Sequence, residues 1–341
     1  MTSHPAAACD LIAEVGQAHD GSLGYAHSFI DAAADAGATF IKFQTHIAEA
    51  ESHPTEPWRV KFSPQDETRF EYWKRMEFTA QAWSGLYEHA KNRSLGFMSS
   101  PFSIDAVDLL RTTGIDAWKI ASGEVEHTQL LEAIPPGDPV FLSSGMSSPE
   151  QLAPAVEFFR DRNPLVLMQC TSLYPTPASR VGLNQINELR ETFNIPTGLS
   201  DHSGTIFAGL GAIALGAVAV EVHVCHSRES FGPDVSSSLT FPELRLLAEG
   251  MQFLREVNAN PIDKGDIHED LAQMRTLFGR SIFTTRDLKA GDKIQPDDVS
   301  LKKPAGGIPP ESLQAVIGLH TKTDLAAGTQ LSFSHLEKLL P

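Results

Sequence analysis

The chain has 341 residues, 41% apolar and 21% charged, the balance of an ordinary folded protein with room for one large domain and a small one. Its net charge of −16 argues against nucleic acid or an anionic membrane surface as partner, and no apolar run is long enough to span a bilayer. Cys9, Cys170 and Cys225 form no close-spaced framework, and the opening MTSHPAAACD lacks the basic and apolar regions of an export signal, so a reducing cytoplasm is expected.

Strand and helix patterns then alternate eight times. The strand candidates, in order, are DLIAEVG, TFIKFQ, LGFMSS, AWKIAS, PVFLSS, LVLMQC, PTGLSD and VAVEVHV. Amphipathic stretches such as AHSFIDAAADAGA and PEQLAPAVEFFRD separate them. This rhythm predicts a (β/α)8 TIM barrel over residues 1–258. No GxGxxG follows the first strand, which sets aside a doubly wound dinucleotide fold.

Between the second and third strands, residues 45–78 form an insert rich in aromatics, either a wall at the barrel mouth or a self-packed surface helix carrying Phe70, Tyr72, Trp73 and Phe78. Residues 259–279 read as a linker that includes the acidic DKGDIHED. From 280 to 341 the segments shorten, and DLKAGDKI and DLAAGTQL echo each other, as in a small, internally near-symmetric, mainly β domain.

Polar residues at the C-terminal ends of barrel strands are where such folds place chemistry. Here Glu14, Lys42, Gln44, Ser100, Lys119, Ser122, Glu124, Ser143, Ser172, Tyr174, Ser200 and Glu221 all fall there. Parallel strands joined by a helix also bring His202 and His223 to one mouth, where two imidazoles offer a grip for a divalent metal; the competing reading is a helix cap and a core histidine. Two lysines among hydroxyls suit a carboxylate or phosphate. A metal beside them points to joining an anionic three-carbon fragment to a carbonyl compound, while Schiff-base aldol chemistry at Lys42 or Lys119 is the alternative.

The runs AEVGQAHDGS, IKFQTH, SSPFS, WKIASGE, LSSGM, CTSLYPTP, GLSDHSGT, VEVH and FGPD make the chain resemble the sialic acid synthase family, and the final segment resembles that family's SAF, or antifreeze-like, domain. The resemblance implies condensation of phosphoenolpyruvate with an N-acylated hexosamine, with phosphate released by C–O cleavage. It implies Mn2+ or Mg2+ on His202 and His223. Lys42, Lys119, Ser122, Ser143 and Ser200 would hold phosphoenolpyruvate, helped by Ser172 and Ser100. Glu14 and Asp234 would meet sugar hydroxyls, Tyr174 and Gln44 would line the pocket, and Glu124 would handle the attacking water. A domain-swapped homodimer is implied, with the SAF domain of one subunit over the other's barrel. Ala18 stands where the family has Asn, Glu126–His127 replaces another Asn, and Lys303 aligns with an arginine that reaches the sugar's acyl group. These departures keep a legionaminic or pseudaminic type of product open beside N-acetylneuraminate.

Overall fold

The computed structural model describes residues 9–58, 60–263 and 269–338. The elements run β1 (Asp10–Gly16), α1 (Leu23–Asp35), β2 (Phe40–Thr45), α2 (Ala48–Glu51), α3 (Arg69–Met76), α4 (Ala80–Asn92), β3 (Gly96–Pro101), α5 (Ile104–Thr113), β4 (Ala117–Ile120) and α6 (Thr128–Ala133). They continue with β5 (Val140–Ser143), α7 (Pro149–Arg160), β6 (Leu165–Cys170), α8 (Asn184–Phe193), β7 (Thr197–Asp201), α9 (Phe207–Ala214), β8 (Ala219–Cys225), β9 (Leu239–Thr240) and α10 (Phe241–Ala259). Neighbouring strands from β1 to β8 pair in parallel, and β1 also pairs with β8, from Asp10 opposite Ala219 to Glu14 opposite His223. That last pairing closes the sheet. The short β9 joins β8 beyond the barrel proper, with Val224 opposite Leu239.

Period-two alternation divides the barrel interior into layers. At its base Ile12, Met98, Ala117, Phe141, Met168 and Ala219 form an apolar plug, flanked by Phe40 and Val166. One step further along the same strands come Glu14, Lys42, Ser100, Lys119, Ser143 and Glu221, all buried. Outside the strands a second core packs against the helices, with Phe29, Leu86, Phe97, Trp118, Phe159 and Leu247 among its members. Local signals set the helix starts: Ser148 caps α7 and exchanges bonds with Gln151, and Thr240 does the same for α10 with Glu243.

The insert packs on itself, except that Phe78 falls after α3 and seats against the main core beside His19 and Trp83. Its α3 buries Tyr72, Trp73 and Met76 in a small core of their own. It is also tied to neighbouring loops at the mouth: Arg75 donates to Asp20 after β1, and Phe62 meets Phe231 after β8 with ring centroids 5.8 Å apart.

Contacts divide the chain after Asn260 into two compact units. The expected linker contains α11 (Glu269–Phe278), while most of DKGDIHED lies outside the described residues. The opening MTSHPAAA also lies outside them. The second unit then adds β10 (Ser281–Thr284), β11 (Val299–Lys302), α12 (Leu313–Val316), β12 (His320–Thr321) and β13 (Leu336–Glu337), with β10–β11 and β12–β13 as antiparallel pairs. Ile282, Leu288, Ile294, Ile308, Val316, Leu325 and Leu331 form its core.

The sequence echo in this unit is structural. Leu288 and Leu325 exchange backbone hydrogen bonds, each 2.8 Å. Asp287 accepts from the Ala327 amide at 2.7 Å, and Asp324 accepts from the Ala290 amide at 2.9 Å. Gly291 and Gly328 sit at φ +88° and +81°, closing equivalent turns that favour glycine.

Candidate active site

Register explains why the charged residues meet. Glu14 on β1 lies opposite both Lys42 on β2 and His223 on β8, and Glu221 lies opposite Ser200 on β7. The side chains converge above the plug. Lys42 Nζ donates to Glu14 Oε2 and, at 3.2 Å, to Glu221 Oε1. Lys119 Nζ reaches the same Glu221 oxygen at 2.8 Å, and Ser200 Oγ donates to it at 3.0 Å. Glu221 Oε1 thus takes three donors, while its buried Oε2 has no partner. Burial alone would raise the Glu221 carboxyl, but Lys119 and Lys42 overrule it and hold it below the usual carboxylate range. Burial works the other way on Lys42, yet Glu14 and Glu221 keep its ammonium charged and raise its pKa. Glu14's second oxygen accepts from Gln44 Nε2 at 2.7 Å, and Gln44 Oε1 accepts from Gln17 at 2.5 Å.

The hydroxyl groups gather beside this layer. A Cβ on Gly145 would lie 2.5 Å from Ser122 Oγ, 2.6 Å from Ser172 Oγ and 3.2 Å from Cys170 Sγ, so the missing side chain is what lets the three share a space. Cys170 Sγ is in turn 4.0 Å from His202 Nδ1. Ser143 is buried at the end of β5, and Ser100 is buried on β3 opposite Gln44.

His202 and His223 stand at the mouth with ring centroids 5.3 Å apart. The Nδ1 of His202 faces the Thr171 carbonyl at 3.1 Å; a carbonyl only accepts, so Nδ1 carries the proton and Nε2 keeps its lone pair. Burial, with His223 beside it, pushes the His202 pKa down to about 3, so this imidazole is neutral. Tyr174 covers the pair, 4.2 Å from His202 and 6.0 Å from His223 between ring centroids. Asp234 lines a small cavity with His223 and Ala18.

The buried layer does not include Glu124 or Lys303. Glu124 lies in the turn after β4, where its carboxylate holds His127 Nδ1 at 2.8 Å. Lys303 belongs to the second unit, with its ammonium 4.9 Å from the centre of the Phe278 ring. Cys225 is buried and burial raises its thiol, while His226 packs among Tyr25, Phe29 and Phe241; among the described residues neither joins the histidine pair in a group of three that could hold a metal. Glu221, Gln17 and Gly145 matter more than sequence reasoning assigned. For Glu221 the signal was available, since it shares a strand face with His223.

The fold is a (β/α)8 barrel whose C-terminal mouth gathers two buried lysines, serine hydroxyls and a histidine pair. The NeuB family matches residues 29–262 and the SAF domain matches residues 279–337, so the chain belongs to the NeuB family and its second unit is a SAF domain. It is 31% identical over 306 residues to the N,N'-diacetyllegionaminic acid synthase of Campylobacter jejuni, covering 87% of this chain and 91% of that one. It is 31% identical over 327 residues to the pseudaminic acid synthase of the same species, covering 94% of each. Among solved structures, the N-acetylneuraminic acid (sialic acid) synthetase of Leptospira borgpetersenii, in complex with citrate, superposes with a TM-score of 0.68 at 29% identity, over 79% of this chain and 90% of that one.

Proposed function

We propose that the chain is a nonulosonic acid synthase that joins phosphoenolpyruvate to the aldehyde of an N-acylated hexosamine and releases inorganic phosphate. One observation carries this reading: two buried ammonium groups converge on a single Glu221 oxygen, beside a ring of serine hydroxyls and beneath two imidazoles. An anionic substrate can take over donors that Glu221 now occupies.

The expected Mn2+ or Mg2+ suits the donor set. His202 is neutral and has its Nδ1 proton committed to Thr171, which leaves Nε2 for a metal. Among the described residues no group of three or more His, Cys, Asp or Glu could hold an ion, so water and substrate would complete the coordination. When bound, such an ion polarises a carbonyl as a Lewis acid.

Lys42, Lys119 and the serines hold the phosphate and carboxylate, and Glu14 and Asp234 orient the sugar hydroxyls. The enol carbon forms a C–C bond to the aldehyde carbon, whose oxygen gains a proton. Water adds to the electron-poor carbon left behind and gives one proton to Glu124 as the assigned base, which balances the proton taken up by the aldehyde oxygen. The bond from that carbon to the bridging oxygen then breaks as the new hydroxyl becomes a ketone, and phosphate leaves with the bridging oxygen and the hydroxyl's remaining proton. Schiff-base chemistry fits less well, because it needs a lysine with a depressed pKa, whereas Lys42 is held charged and Lys119 is ion-paired to Glu221.

The same reading makes the protein a homodimer in which the SAF domain of one subunit covers the partner's barrel and brings Lys303 to the acyl group. Exposed Val60, Met146, Leu173 and Phe231, on loops after β2, β5, β6 and β8, supply an apolar rim for that contact. Met146 presents its side chain from a backbone at φ +63°, a conformation that costs a non-glycine residue and persists where the surroundings use it. Free thiols on Cys9, Cys170 and Cys225 accord with a cytoplasmic location, and no described helix is long and apolar enough to cross a membrane.

The test is phosphate release from phosphoenolpyruvate with Mn2+, against N-acylmannosamines, their 6-phosphates and 2,4-diacetamido-2,4,6-trideoxyhexoses. The expected product has the mass of sugar plus pyruvate, and His202→Ala abolishes it. Silence across the whole panel, or borohydride trapping of pyruvate on Lys42 or Lys119, would overturn the proposal.

A further inference from the structure

The insert reaches into the site through one buried histidine. Along β2, Lys42 and Gln44 share the inward face, and His46 continues that period one residue past the strand. Its ring is buried and stacked on both sides, 4.0 Å from Trp73 at 18° and 4.5 Å from Phe102 at 12°. Its Nδ1 is 2.7 Å from Glu51 Oε1. Trp73 and Glu51 both belong to the insert, on α3 and α2.

The hydrogen-bond directions follow from these positions. A carboxylate only accepts, so Nδ1 carries a proton. Nε2 lies 3.4 Å from Gln17 Nε2 and 3.2 Å from Gln44 Oε1. In the neutral ring Nε2 accepts from the Gln17 amide, whose other N–H goes to Gln44 Oε1 at 2.5 Å. In the doubly protonated ring Nε2–H donates to Gln44 Oε1 directly. Either way Gln44 turns its carbonyl toward His46 and its NH2 toward Glu14, which it reaches at 2.7 Å. A flipped Gln44 would set carbonyl against carboxylate and release one of the two anchors on Glu14.

We propose that His46 is a positioning residue: held by Glu51, Trp73 and Phe102, it fixes the amide direction of Gln44 and so the carboxylate of Glu14 toward the sugar. This rests on the reading of Glu14 as a sugar contact. It gives the insert a role as the outer support of the sugar side of the site, distinct from the lysine and serine groups that hold the anion.

The decisive variant is His46→Phe, which keeps a flat ring between Trp73 and Phe102 and removes both nitrogens. Its unfolding temperature should stay within a few degrees of the parent. KM for the sugar should rise about tenfold, the loss of roughly one buried hydrogen bond, with KM for phosphoenolpyruvate unchanged. His46→Gln, which restores an amide donor toward Gln44, should recover most of the loss, and Glu51→Gln should cost less than His46→Phe. A second readout needs no activity: ring 15N signals of the ligand-free protein should show His46 protonated at Nδ1 in the parent and mixed between nitrogens in Glu51→Gln. Parent-like sugar KM and pH profile in His46→Phe, or a parent ring protonated only at Nε2, would overturn the assignment. Failure of the parent to turn over any sugar would fall on the proposed function, while the ring signals would still decide the hydrogen-bond chain.

Discussion

Gly145→Ala adds one methyl group where three polar side chains meet. The new carbon would start 2.5 Å from Ser122 Oγ and 2.6 Å from Ser172 Oγ, so each hydroxyl must retreat by roughly 0.9 Å to reach ordinary contact. A hydrogen bond lengthened by that much is no longer one. Each hydroxyl bond to a charged group contributes about 1.5 kcal/mol at the low end, so losing two weakens phosphoenolpyruvate by about 3 kcal/mol, or about 150-fold. The fold should not notice. Gly145 is not among the residues at positive φ, the displaced atoms are tips of short side chains, and Gly→Ala restricts the unfolded chain, which contributes about 0.4–1 kcal/mol of stability. Phosphate release titrated with phosphoenolpyruvate at saturating sugar should show the KM change alone, beside an unchanged or slightly raised Tm and an unchanged sugar KM. A phosphoenolpyruvate KM within about twofold of the parent in a folded variant would show that Ser122 and Ser172 do not hold the anion.

Glu221→Gln should cost about 3 kcal/mol of stability, because it leaves Lys119 buried without its counter-ion; an unchanged melting curve would mean the lysines are neutralised elsewhere. Mixing Lys303→Ala with His202→Ala, each inactive alone, should restore about a quarter of parental sites if the SAF domain serves the partner's barrel, and none if it serves its own. Acid sensitivity should trace partly to His19, whose pKa burial, with His46 and Arg75 beside it, lowers from 6.5 to about 3. The unfolded chain then binds the proton first, so this contribution is whole above about pH 6.5 and is lost as pH falls toward about 3, amounting to about 2 kcal/mol by pH 5. His19→Gln should flatten the fall in Tm between pH 7 and 5, and an equal slope in both proteins would refute the assignment.

The barrel was legible because six of its eight strands repeat one rule, an apolar residue in the plug or beside it followed two places later by a polar one. Ile12 and Glu14, Ala117 and Lys119, Phe141 and Ser143, and Ala219 and Glu221 all obey it. That rule names which residues face inward, and it does so for His46 as well. It cannot say which oxygen Lys42 and Lys119 share, because convergence across β2, β4 and β8 depends on barrel stagger rather than on any local pattern. Glu51 was invisible as a partner of His46 because their contact depends on how the insert folds over its own aromatics. Gly145 escaped for the opposite reason: its contribution is the absence of an atom. The helix Glu269–Phe278 arose where a linker was expected, from EDLAQMRTLF, whose helical spacing was overshadowed by the acidic residues before it.

The paired turns of the SAF domain have a consequence for how that unit is held together. Asp287 ties down the turn at Ala327 and Asp324 ties down the turn at Ala290, so each turn takes a carboxylate from the other half, while Asp292 adds a bond to the Lys289 amide within the first. With these crossed bonds and one shared core, the halves are expected to depend on each other as two subunits of a dimer do. The segment between them then works chiefly as a tether, raising the concentration at which each half meets the other to the millimolar range typical of short linkers. Cleaving that tether should turn a folding transition that is independent of protein concentration into one that depends on it, with both halves unfolded when diluted apart.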